Sequence, residues 1–287
     1  MKSVLVFCAY FAALCLWHLM SLAIAAGVVG HFISLADAGQ AAVDVVPLLS
    51  VSILEVAVVV WLICRLKLAG IKLLVATLVV FHGVKIFLMM IELAFFLNIW
   101  ASPPVISLER VSGLELHGLL MSLLFCPVAI LLMKKWRLPG HGPSNIFPII
   151  KRSLMGKIGV ISVLYAACYW IAGGFILIPL AGESFLFTYG HLQVPAWMPF
   201  FQVGRGLLWA FIVLLLVHNL NVSGLRLYMG VGVVLAVLAG AQLLLPNPYM
   251  LGHLRYAHLV ELGVSMMFFG VLASWILSSG IKEPADA

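Results

Sequence analysis

The chain has 287 residues, 64% of them hydrophobic and only 9% charged. A soluble domain of this size carries about 25% charged residues, so composition argues against a water-soluble enzyme or signalling domain. The formal net charge of +6 does not point to nucleic acid, because the basic residues sit in short loops beside apolar stretches rather than on a polar domain.

A membrane-spanning helix needs about 20 mostly apolar residues. Taken in chain order, such stretches fall near 4–29, 46–64, 73–97, 112–133, 157–181, 200–220, 225–245 and 256–278. They are too long for transmembrane strands and lack strand alternation. The predicted fold is therefore all-α, a polytopic bundle of about eight transmembrane helices. Ala23-Ile24-Ala25 resembles a signal-peptidase site, but the apolar run is longer than a signal-peptide core, and it reads as a retained first span. Cleavage after Ala25 is the alternative and would leave seven spans. Cys8, Cys15, Cys64, Cys126 and Cys168 lie in or beside apolar segments with no CxxC pair. They read as buried free thiols rather than a disulfide framework or zinc site.

Loop charge sets orientation. With the N-terminus inside, inner loops and span edges collect Lys2, Arg65, Lys67, Lys72, Lys134, Lys135, Arg137, Lys151, Arg152, Lys157, Arg226 and Lys282, against Arg110 and Arg255 outside. Both termini are expected to be cytoplasmic. Asn221-Val222-Ser223 matches a glycosylation acceptor, but lies on the inner side and is expected to stay unmodified. Trp100, Trp197 and Tyr249 are placed as outer interfacial anchors, and Pro246-Asn247-Pro248-Tyr249 as a rigid outer turn.

The two halves look alike with a shift of about 150 residues. Arg110-Val-Ser-Gly-Leu-Glu115-Leu116 opens the fourth span, and Arg255-Tyr-Ala-His-Leu-Val-Glu261-Leu262 the eighth. A glycine (Gly118, Gly263) and a methionine (Met121, Met266) follow each. Pro47 and Pro199 open the second and sixth spans, which are followed by Gly70 and Lys72, and by Gly224 and Arg226. An even number of spans per half gives a parallel 4+4 repeat, with residues 1–137 as the first half, 138–156 as a cytoplasmic linker and 157–287 as the second half. Chance similarity among Leu-rich helices is the competing explanation. Gly173-Gly174 and Gly230/Gly232 are expected to permit close helix contact.

Four of the ten acidic residues, Glu55, Glu92, Glu115 and Glu261, fall inside apolar segments together with Lys85 and Arg205. A charge in hydrocarbon costs roughly 2.5–3.5 kcal/mol even on the lenient insertion scale, and such residues face a cavity, a bundle interior or each other. By position, Glu92, Arg205, Glu115, His117, His258 and Glu261 lie toward the outer side, Glu55 and Lys85 nearer the midplane, and Arg110 and Arg255 at the outer mouth. Two readings compete. Opposite charges can pair across helices and fix packing, or the same nine ionisable residues, Glu55, Lys85, Glu92, Arg110, Glu115, Arg205, Arg255, His258 and Glu261, can line an outward-facing site for a polar solute, ion or lipid headgroup. His258 and Glu261 are three apart and share a helix face, a pattern able to relay a proton. One such pair is too little for a di-iron site. A bis-histidine haem would need His18 and His82 to meet. No cofactor and no metal is assigned. Walker motifs, nucleophile elbows and HExxH are absent, which argues against a nucleotide-driven pump or a standard hydrolase.

Arg205-Gly-Leu-Leu-Trp209, Leu243-Leu-Leu-Pro-Asn-Pro-Tyr-Met250 and Arg255-Tyr-Ala-His-Leu-Val-Glu261 resemble segments of uncharacterised bacterial multi-pass inner-membrane proteins, over roughly the last third of the chain. The resemblance implies a bacterial inner membrane and no particular activity. The leading expectation is a transporter-like or solute- or lipid-binding membrane protein. The alternatives are a non-catalytic subunit or scaffold with a protein partner, and a redox or lipid-modifying membrane enzyme using His258 and Glu261. The expected partners are the lipid bilayer and a small polar solute or lipid headgroup, with no nucleic acid.

Overall fold

Inside a bilayer, backbone N–H and C=O groups have no water to bond, so long apolar runs fold as helices that satisfy their own hydrogen bonds. The computed structural model of the chain describes residues 2–32, 44–97, 107–136, 146–148, 151–190, 194–246, 250 and 252–279. Among these, eight helical spans are long and apolar enough to cross a membrane: Val4–His31, Val45–Arg65, Gly70–Phe96, Leu108–Leu132, Arg152–Ala181, Met198–Asn219, Gly224–Leu244 and Gly252–Ser278. The chain is an all-α, multi-pass integral membrane protein. Large apolar side chains such as Phe7, Leu16, Phe175, Phe200 and Trp275 are exposed on its outer surface, where lipid replaces water as solvent.

The elements are α1 (Lys2–Phe32), α2 (Val45–Arg65), α3 (Gly70–His82), a π-turn (Gly83–Phe87), α4 (Leu88–Leu97), α5 (Leu108–Leu132), α6 (Arg152–Ala172), a second π-turn (Gly173–Leu177), α7 (Ile178–Ala181), α8 (Glu183–Tyr189), α9 (Met198–Asn219), α10 (Gly224–Gly240), a 3₁₀ turn (Ala241–Leu244) and α11 (Gly252–Ser278). The fourth, fifth and eighth spans begin several residues before their apolar cores. Ser107 caps α5 by accepting from the N–H of Arg110, and α6 starts at Arg152, inside the segment expected to be linker. Hydropathy marks the buried part of a helix, whereas hydrogen bonding carries the helix on through its charged first turn. Trp100, Arg137, residues 138–145, Asn247, Pro248, Tyr249 and Lys282 lie outside the described residues.

Two expectations are corrected. Gly173 and Gly174 have no neighbour close to a built Cβ, so they are not a helix-contact site. They open a π-turn just before Pro179, which lacks an N–H and whose ring would clash with the carbonyl of residue 175 in a straight helix. The cysteines are not uniformly buried either: Cys126 and Cys168 are, but Cys8 and Cys64 are exposed on the bundle surface.

The first span packs on the second and fourth, and the third on the fourth; the fifth packs on the sixth and eighth, and the seventh on the eighth. The halves meet where the seventh span lies against the second and against the first π-turn, and where α3 touches α9. Leu14, Phe81, Phe125, Trp209, Val231 and Phe269 belong to one core shared by both halves. Small residues allow the closest approaches. A Cβ on Gly270 would lie 2.7 Å from the Cα of Gly232 across the α10–α11 contact, and one on Gly230 would meet the Trp61 ring at 2.5 Å. Backbone cannot move aside as a side-chain tip can. Gly270→Ala is therefore expected to lower unfolding stability in detergent by about 1–3 kcal/mol; an unchanged transition would show that the two helices are not held at this distance.

At one end of the bundle the second and sixth spans terminate side by side. Leu66 and Leu220 form an antiparallel bridge, in which the N–H of Lys67 donates to the carbonyl of Asn219 at 2.9 Å and the N–H of Asn221 to the carbonyl of Arg65 at 2.8 Å. Each exit leads into a helix opened by a positive-φ glycine, Gly70 at +57° and Gly224 at +56°, a conformation that favours glycine. At this same end the Lys157 ammonium donates to the carbonyls of Leu277 and Ser279, satisfying orphan acceptors at the C-terminus of α11.

Candidate functional site

The first half buries a three-residue ionic group contributed by its first three spans. Lys85, in the π-turn, donates from Nζ to Glu55 Oε2 at 2.5 Å, and His18 Nε2 lies 2.9 Å from the same oxygen. A carboxylate only accepts, so Nε2 carries the histidine proton. Glu55 is fully buried. The walls are apolar: Phe125 meets the His18 ring edge-on at 5.0 Å, Lys85 Nζ stands 5.5 Å from the Phe81 ring centre, and Met121 Sδ is 4.0 Å from Nζ. The wider π-turn rotates Lys85 relative to a regular helix, in line with the frequent placement of such turns at functional sites. Gln242 of the other half donates to the Lys85 carbonyl at 3.3 Å. Glu55 Oε1 and His18 Nδ1 have no protein partner.

Beside this group, His82 Nε2 pairs with Glu115 Oε1 at 2.8 Å, and His117 Nε2 donates to the carbonyl of Leu22 at 3.3 Å. His18 and His82 each give Nε2 to a different glutamate, so the described geometry has them serving carboxylates rather than facing a shared ligand. Among the described residues no three His, Cys, Asp or Glu side chains converge as a metal-ligand set.

A second ionic group draws on both halves. Arg205 of α9 is held from several sides. Its Nη2 lies 3.0 Å from Glu92 Oε2 of α4 and donates to the Leu88 carbonyl at 2.9 Å, and its Nη1 donates to Gln202 Oε1 at 2.9 Å. Gln202 Nε2 reaches Glu92 Oε1 at 3.4 Å. The guanidinium carbon stands 5.6 Å from the Tyr165 ring centre and 6.0 Å from that of Phe201, within cation–π range. Tyr169 lies beside Glu92. On the far side, Tyr189 of α8 and Glu261 of α11 bracket one imidazole: the Tyr189 hydroxyl is 3.2 Å from His258 Nε2, and His258 Nδ1 is 3.3 Å from Glu261 Oε2. Since Glu261 accepts from Nδ1, Nε2 is left to accept from the tyrosine.

Tyr189 joins these two sub-groups. Burial, followed by the negative charges of Glu92 and Glu261, pushes its phenol up to about 12. Both carboxylates therefore act on one hydroxyl, which stays protonated at neutral pH and serves as a hydrogen-bond donor rather than a nucleophile.

The nine ionisable residues singled out from sequence thus fall into separate groups. Glu92 pairs with Arg205, and Glu261 with His258, which Tyr189 also contacts; the charges of both carboxylates are felt at the Tyr189 hydroxyl. Glu55 and Lys85 pair apart from them, in the first half, and Glu115 pairs with His82. Arg110 lies partly buried near the start of α5. Arg255, in the first turn of α11, lies against the Tyr256 ring at 5.1 Å. Sequence reasoning did not select Tyr165, Tyr169, Tyr189 or Gln202. The i,i+4 spacing of Tyr165 and Tyr169, which shares one helix face, was an available signal; for Tyr189, on a short helix outside any span, there was none. Compared with protein-family models, curated proteins and solved structures, the chain matches none.

Proposed function

We propose that this is a transporter-like, solute-binding membrane protein whose site is the group Glu92, Arg205, Tyr189, His258 and Glu261. The observation that carries this reading is the burial of ionisable groups from both halves in direct contacts: Arg205 of α9 on Glu92 of α4 at 3.0 Å, and His258 held between Tyr189 and Glu261. Intramembrane ionisable groups at an interface between two bundles are where substrate sites of secondary transporters lie. A protonated phenol, a carboxylate–imidazole pair and an arginine supply donors and acceptors of both signs to a polar solute.

The reading extends to organisation and placement. The halves form a parallel repeat, supported by the reciprocal hydrogen bonds around Leu66 and Leu220 and by Gly70 and Gly224 standing at the same sequence interval as those leucines. The bridged end is cytoplasmic, supported by the basic residues gathered there. A bacterial inner membrane is supported by the resemblance of the last third of the chain.

The test is a thermal-shift screen of the purified protein against amino acids, carboxylic acids, sugars and polyamines. At least one class is expected to raise the wild-type Tm. Glu261→Gln, which keeps the side-chain shape and removes the charge, is expected to abolish that rise while shifting the ligand-free transition by less than about 1 kcal/mol. A wild-type protein that responds to no class would overturn the proposal. The second reading, a non-catalytic subunit or scaffold, is favoured by the direct pairing of Arg205 with Glu92, Gln202 and Leu88, which occupies both terminal guanidinium nitrogens. It predicts stable co-purification with one fixed protein partner.

A further inference from the structure

Among the described cations buried in the spans, Arg255 differs from the others in what faces it. Lys85 is matched by Glu55 and Arg205 by Glu92. Arg255 is only 8% exposed and makes no ion pair with any described carboxylate; like that of Arg205, its Nε has no protein partner. Its guanidinium carbon stands 5.1 Å from the ring centre of Tyr256, itself half exposed.

The local field makes this more costly. Arg255 lies in the first turn of a helix of 27 residues, Gly252–Ser278, that has no acidic residue in that turn. A helix N-terminus carries about half a positive charge and favours anions there. Guanidinium and helix end therefore repel each other, and among the described residues no carboxylate pairs with the guanidinium. A buried arginine is normally paired. Here two independent features, a buried guanidinium with no described carboxylate partner and an unpartnered Nε, and a long helix N-terminus, ask for the same missing charge.

We infer that Arg255 and the N-terminus of α11 bind a phosphate-type anion. The position fits that chemistry. The residue stands at the start of a membrane span, at the level where lipid headgroups lie, beside a tyrosine of the kind that anchors at that depth. A guanidinium presents a planar fork of donors that matches phosphate oxygens in pairs, and the backbone N–H groups of a helix's first turn favour the same kind of anion. This inference does not rest on the solute-site reading above, because neither Glu92 nor Glu261 takes part in it. The anion can belong to a phospholipid or be free phosphate.

Native mass spectrometry and thermal unfolding of the detergent-purified full chain test it, with phosphatidylglycerol, phosphatidylcholine and inorganic phosphate as probes. The wild type is expected to hold phosphatidylglycerol at least about tenfold more tightly than phosphatidylcholine, and Arg255→Gln to lose that preference. In lipid-free detergent the Tm of Arg255→Gln is expected to be no lower than wild type, since an unpaired buried charge has been removed. A response to inorganic phosphate as strong as that to phosphatidylglycerol, lost in the same variant, identifies the free anion as the occupant. Equal binding of the probes by wild type and variant, or no binding by the wild type, overturns the inference. If Arg255→Gln gives no folded protein, Arg255→Lys is used, which keeps the charge and loses the fork. A severalfold weaker affinity is then expected, and unchanged affinity overturns the inference.

Discussion

Replacing Lys85 with methionine is expected to destabilise the folded bundle by about 3–5 kcal/mol, as when one partner of a buried ion pair is removed. Glu55 is fully buried and accepts from the Lys85 ammonium and from His18 Nε2 on the same oxygen. Without the ammonium the carboxylate keeps the His18 contact alone, among phenylalanine rings. The loss comes from the charge left behind rather than from the missing bond. The double variant Lys85→Met with Glu55→Leu is therefore expected to regain most of the stability, because a buried pair exchanged for apolar groups of similar volume is close to neutral. Unfolding of the purified single and double variants in mixed detergent closes the cycle. A single variant within about 1 kcal/mol of wild type, or a double variant as unstable as the single, would show that these charges do not hold each other.

Arg205→Met is expected to cost a comparable amount, about 3–5 kcal/mol, and to loosen the contact between the halves. It removes at one stroke the partner of Glu92 and the donors to the Leu88 carbonyl and to Gln202. Glu92→Gln is expected to be milder. The Glu92 side chain is 22% exposed against 2% for Arg205, so solvent screens part of the charge. The double variant Arg205→Met with Glu92→Leu separates the two roles these residues can have. If packing is their whole purpose, the double variant regains both stability and any solute-induced rise in Tm. If they belong to the solute site, stability returns and the solute response does not.

The class of fold was legible because it depends on one local property. A run of about 20 apolar residues has nowhere to go but across a bilayer as a helix, and all eight runs form helices long and apolar enough to do so. The chain also announced its intramembrane charges, since each stands alone in an apolar context. Which charge meets which was not legible. Glu115 and Glu261 each stand near the start of a span in similar sequence surroundings, yet Glu115 takes a histidine from another span and Glu261 one from its own helix. The glycines that follow them diverge in the same way: a Cβ on Gly118 would meet Ile86, whereas Gly263 faces open space. Such differences come from helix rotation and crossing, which apolar periodicity barely constrains when lipid and protein interior are equally greasy.

By itself, then, the sequence determined that the chain is a multi-pass membrane protein, where the eight apolar helices of the described residues lie to within a turn or so, and which residues are costly enough to need a partner. Tertiary structure alone decided the partners. It rotated Lys85 through a π-turn onto Glu55, brought Tyr189 from a short helix between spans onto His258, and left Arg255 without a described carboxylate. The physical reason is one of range. Hydrophobicity and backbone hydrogen bonding act within a single helix, whereas an ion pair forms only when side chains from different helices come within about 4 Å, and no single helix sets that distance.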